Sequence, residues 1–93
     1  MVFVLEDDES ILELILYALK SQNIKALGFK HPDEFSKALS NNKPQIVVLD
    51  LMLPSKSGFE ITKELKNNPA TKSISILILS ALNSEMDKVK GLE

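Results

Sequence analysis

At 93 residues, 44% of them hydrophobic, the chain is long enough for one domain with a modest core and too short for two. Its 11 Lys and Arg against 13 Asp and Glu are scattered, leaving a formal charge of -2 and no basic stripe that would suit nucleic acid or an anionic membrane surface. The absence of cysteine excludes a disulfide framework, a zinc-thiolate site and a thiol nucleophile, and permits a reducing compartment.

Val2 to Leu5 is a short apolar run that reads as a strand; acids follow it at once, which fits neither a signal peptide nor a membrane span, so a cytoplasmic protein is expected. Ile11, Leu12, Ile15, Leu16 and Leu19 then recur at helical spacing, and Asn23 stands where a left-handed residue would end that helix. Ile24 to Phe29 is a more polar strand in which Lys25 and Gly28 tolerate a sheet edge. Pro32 opens a short helix with Phe35, Ala38 and Leu39 on its inner face. After Pro44, Ile46 to Leu49 is apolar throughout, as in strands of a parallel sheet that are buried on both sides. A loop from Asp50 to Ser57 leads to a helix over Gly58 to Asn67, a strand over Ile74 to Leu79 and a helix over Ser84 to Leu92. No internal repeat or linker interrupts this alternation. Repeated βα units with right-handed crossovers predict an α/β fold: a doubly wound parallel sheet with helices on both faces.

Glu6, Asp7 and Asp50 each stand where an apolar run stops. If those runs are parallel strands, all three carboxylates meet at the carboxyl edge of one sheet, where open α/β proteins bind ligands. Crowded carboxylates raise one another's pKa, so such a site wants a cation or a proton, and a hard, oxygen-seeking Mg²⁺ suits it best.

The stretches V-L-E-D-D-E, I-V-V-L-D-L-M-L-P-S-K-S-G and I-L-I-L-S-A, in this order of elements, resemble the receiver domain of two-component response regulators over essentially the whole chain. The resemblance implies the strand order 2-1-3-4, with Asp50 as phospho-acceptor, Ser80 as a switch hydroxyl, and Glu6, Asp7 and the backbone carbonyl of Met52 sharing the Mg²⁺ with Asp50. It implies as donor a sensor histidine kinase or phosphotransfer protein, and no nucleic-acid or membrane contact by this segment. Carboxylate attack on phosphorus beside a metal is sound chemistry on its own terms. Ser80 would meet a phosphoryl oxygen only after transfer, and a contact made in one chemical state alone biases a conformational equilibrium.

Receivers resembling this chain continue, after a segment like K-V-K-G-L-E, into a fifth strand and helix of roughly 25 residues. That strand carries a lysine reaching the phosphoryl group, which no residue here matches; Lys56 is an unsupported substitute. A C-terminally incomplete receiver over residues 1–93 is therefore expected, with its Ile74 to Leu79 edge or fourth helix open to self-association. The alternative is a receiver-fold interaction or assembly module that does not phosphorylate. A small Mg²⁺-dependent hydrolase is a third reading, but Met52 stands where a dehalogenase-type phosphatase has its second Asp, and no phosphate loop or calcium loop is present.

Plain structural roles account for the remaining residues. Asp8 and Glu9 suit a helix start, Pro54 and Gly58 a turn and a helix entry, and His31 a solvated loop. Tyr17 is expected to pack with its hydroxyl at the surface.

Overall fold

A computed structural model describes residues 1–50 and 57–79. In chain order the elements are β1 (Val2–Leu5), α1 (Glu9–Ser21), β2 (Ala26–Phe29), α2 (Pro32–Asn41), β3 (Ile46–Asp50), α3 (Gly58–Asn67) and β4 (Ser75–Leu79). The described strands form one parallel sheet, as the alternation of apolar runs and helical periods predicts, and their order is β2-β1-β3-β4. The fourth helix expected over Ser84 to Leu92 lies outside the described residues.

Local chemistry sets the helix ends. The Asp8 side chain caps α1 by accepting from the Ile11 N–H at 3.1 Å. At the other end Asn23 takes φ 62°, and the N–H groups of Asn23 and Ile24 close on the carbonyls of Lys20 and Leu19. Asparagine tolerates this left-handed geometry better than most side chains, which lets the chain turn back into β2. Pro32 begins α2 after His31, and Ser57 and Glu60 form a capping box at α3.

Alternation along β1 and β3 divides the core in two. Phe3, Leu5, Val47 and Leu49 face α2 and α3, meeting Phe35, Leu39, Ile61 and Leu65. Phe3, Phe29 and Phe35 contact one another edge to face at centroid separations of 5.1–6.3 Å. Val2, Val4 and Val48 face the other way, against Leu12 of α1, with Ile15, Leu16 and Leu19 around it. Before β4 the buried Thr71 hydroxyl donates to the Leu65 carbonyl at 2.7 Å and ties the turn to the end of α3.

Several expectations shift in detail. β2 begins at Ala26 rather than Ile24, because residues 22–25 complete the turn out of α1. β4 begins at Ser75; Ile74 precedes it and is buried in the core. Ile46 is 40% exposed, so β3 is not covered along its whole length. Ile11 and Tyr17 face outward, at 39% and 72% exposure, since the inward stripe of α1 is narrower than its apolar content and centres on Leu12. Tyr17 therefore lies on the surface and does not pack in the core.

Gly28 lies where α1 crosses β2. A Cβ there would stand 2.8 Å from Leu16 Cδ1 and 2.9 Å from Leu12 Cδ1. Both are ends of flexible side chains, so Gly28→Ala should be nearly neutral, with the strand preference for Ala offsetting the adjustment. Gly28→Val, which must displace the helix, should cost about 1–3 kcal/mol. Urea unfolding of the two variants would check this, and equal stabilities would show that α1 is free to shift.

Candidate functional site

The parallel register builds the acid site. Leu5 pairs with Leu49, so Glu6, the next residue, stands level with Asp50 at the end of β3. The Glu6 N–H continues the β1 pairing by donating to the Phe29 carbonyl at 2.9 Å, which holds its Cα in line with the strand. Asp7 follows as the chain leaves the sheet. One carboxylate oxygen from each of Glu6, Asp7 and Asp50 can be chosen so that all three lie within 4.8 Å of one another. Glu6 and Asp50 are 4% and 3% exposed, while Asp7 is more open to solvent.

Burial in this setting disfavours charge. It pushes the Glu6 carboxyl up to about 7, and the charge of Asp50 and hydrogen bonding to the Asp50 and Asp7 carboxyls push the same way. One group opposes this: the Asp8 N–H donates to Glu6 Oε2 at 3.0 Å. In the sequence Asp8 suits a helix start and nothing more. Its side chain does cap α1, but its backbone also orients the Glu6 carboxylate. An acid two residues before a helix cap was the available signal.

The donor set fits Mg²⁺. Three carboxylates converge from two strand ends, two of them buried and one open to water, and their mutual repulsion is what a small divalent ion relieves. Few protein ligands leave water on the ion, so binding should be of modest affinity. Asp7→Ala should weaken it by roughly tenfold or more, about 1.4 kcal/mol. Backbone NMR shifts at the ends of β1 and β3 during a Mg²⁺ titration would measure this, and an unchanged affinity would remove Asp7 from the ligand set.

Beside these acids, Lys30 Nζ meets Glu9 Oε1 at 2.7 Å and holds the Glu9 carboxyl below its ordinary range. Both side chains are well exposed, so the pair fastens the start of α1 to the end of β2 only weakly. Ser57 serves α3 through its capping box, its hydroxyl accepting from the Glu60 N–H at 3.1 Å. Leu79 pairs with Asp50, so β4 reaches the level of the acids. Ser80, Met52 and Lys56 lie outside the described residues.

A family model for the response regulator receiver domain matches residues 2–93. The chain belongs to that family. Among curated relatives, the alkaline phosphatase synthesis transcriptional regulatory protein PhoP of Bacillus subtilis is 36% identical over 92 residues, 99% of this chain and 38% of that protein. The phosphate regulon transcriptional regulatory protein PhoB of Pseudomonas aeruginosa is 32% identical, over 99% of this chain and 40% of its own length. The chain thus spans about two fifths of the length of these relatives. Among solved structures, the receiver domain of the Francisella response regulator 1452 matches at 27% identity with a TM-score of 0.77, covering 98% of this chain and 74% of that one. This receiver of a two-component system has the strand order 2-1-3-4 that the resemblance implied. Among its described residues no helix is long and apolar enough to cross a membrane.

Proposed function

We propose that this receiver accepts a phosphoryl group on Asp50 from a histidine of a sensor kinase or phosphotransfer protein, and changes conformation in response. The convergence of Glu6, Asp7 and Asp50 at one sheet edge carries the reading. An Asp50 carboxylate oxygen attacks phosphorus, forming the acyl phosphate O–P bond as the P–N bond breaks. Its electron pair returns to the donor imidazole, which leaves neutral because its other nitrogen already holds a proton. When bound, Mg²⁺ neutralises charge on the phosphoryl oxygens. Asp7, Asp50 and the Met52 carbonyl would hold it directly, with Glu6 acting through water. Ser80 is the proposed hydroxyl that meets the transferred group.

On this reading residues 1–93 are one receiver working in the cytoplasm, and this segment touches neither nucleic acid nor membrane. The relatives named above are transcriptional regulators, so control of transcription is the output that their likeness supports. Self-association along β4 belongs to the same proposal. It is supported by the exposure of Leu77, 45%, and of Ile46, which pairs with Ser75 of the same strand. Sedimentation velocity should show a concentration-dependent dimer, and a monomer at every concentration would end that part of the proposal.

The central test is incubation with acetyl phosphate or phosphoramidate and Mg²⁺, followed by mass spectrometry of the intact chain and its peptides. One added phosphoryl group on the peptide containing Asp50 is expected, and Asp8→Asn should accept it equally. No label on the wild-type chain would favour an interaction module that does not phosphorylate.

A further inference from the structure

We propose that the outer edge of β2, with the groove beside it, docks an extended peptide segment of a partner protein in which apolar residues are flanked by Asp or Glu. This proposal is independent of phosphorylation at Asp50. The groove is open, holds about 610 Å³, and is lined by Met1, Leu16 and Lys20 together with the continuous stretch from Asn23 to Leu27. That volume lies within the roughly 300–1,000 Å³ of ordinary ligand sites. Met1, Ile24 and Leu27 are each more than 40% exposed, so an apolar partner would find uncovered surface.

Backbone geometry favours a strand as the occupant. β2 is the end strand of the described sheet and pairs there only with β1. The carbonyls of Lys25 and Phe29 point to β1, accepting from Val2 and Glu6. Strand alternation then turns the N–H and C=O groups of Ala26 and Gly28 to the outer edge. No proline interrupts the sequence K-A-L-G-F-K there. An added strand can hydrogen-bond at Ala26 and Gly28 while its side chains reach the groove that Leu27 helps to line.

Charge selects which strand. The side chains of Lys20 and Lys25 are the groove's titratable ones, and among the described residues neither is in an ion pair. Lys30, at the far end of β2, is already engaged by Glu9. A second copy of this chain suits the edge poorly. Antiparallel pairing of two β2 strands through Ala26 and Gly28 would set Lys25 opposite Phe29 and Lys30 opposite Ile24, so a second copy offers Lys25 no carboxylate. The same lysines attract carboxylates at the ends of a foreign strand, and lysines that only guarded the edge against aggregation would bind neither kind of peptide.

The test uses the full-length protein and two fluorescein-labelled peptides, Glu-Val-Thr-Val-Thr-Glu and its counterpart with Lys at both ends. Anisotropy should show binding of the acidic peptide only, weakening with added salt. The exposed pair Lys20→Glu with Lys25→Glu should lose roughly tenfold or more in affinity, and Leu27→Glu should lose a comparable amount, each with wild-type thermal stability as the control for folding. Amide exchange should slow at Ala26 and Gly28 when the acidic peptide is bound. No binding, equal binding of both peptides, or protection elsewhere in the sheet would overturn the proposal. Binding of dodecanoate in place of the peptide would assign the groove to a small amphiphile and overturn it equally.

Discussion

Asp50→Asn should accept no phosphoryl group and yet, without Mg²⁺ at neutral pH, be more stable than the wild-type chain. The loss of activity follows from the chemistry of the side chain, because an amide keeps the shape of the carboxylate and is a very poor nucleophile. The gain follows from the site. Asp50 is 3% exposed, and its charge and hydrogen bonding are among the causes that hold the Glu6 carboxyl up at about 7. Removing that charge lets Glu6 ionise at lower pH, although burial, the first cause of its shift, remains. A gain on the order of 1 kcal/mol is expected, and it should shrink once Mg²⁺ is added to the wild type. Urea unfolding with and without Mg²⁺, beside the acetyl phosphate assay, measures both effects. A variant that is both inactive and less stable would mean that the Asp50 charge is already offset in the resting protein.

That opposition between function and stability explains which parts of the molecule were legible in the sequence. β1 and β3 are the two interior strands, and their apolar runs, V-F-V-L and I-V-V-L, stop at the acids. Tertiary context had little to override there, so the strands and the meeting of their acids could be read together. The ends of β2 were not legible in the same way. Ile24 and Lys25 continue the strand's composition, and only the hydrogen bonds from Asn23 and Ile24 back into α1 show that the turn takes them. The inner face of α1 was overdrawn for a related reason. Periodicity reports which side chains are apolar, whereas the number that find a neighbour depends on what lies opposite, and Ile11 and Tyr17 find none that covers them. At the site, the three carboxylates were legible as residue types. The role of the Asp8 backbone was not, since a main-chain N–H leaves no mark in the sequence.

In the absence of Mg²⁺ the wild-type chain should lose stability as the pH rises from about 5 to 8, and Glu6→Gln should flatten much of that loss. Glu6 has its folded pKa raised from 4.5 to about 7. Between those values the native state holds a proton that the unfolded chain has released, so stability falls as pH rises through this window. It is fully present below about 4.5 and fully lost above about 7. With each pKa unit worth about 1.4 kcal/mol, a loss on the order of 2 kcal/mol is expected, or roughly 10 °C in Tm for a domain this small. Mg²⁺ requires the ionised carboxylates and competes with the proton for them, so its stabilising effect should be small at pH 5 and grow toward pH 8. Thermal melts across that range, with and without Mg²⁺, separate the two contributions. Stability that rises with pH in the metal-free wild type, or a Mg²⁺ effect independent of pH, would show that Glu6 is ionised throughout and that the acids are balanced by something other than a proton.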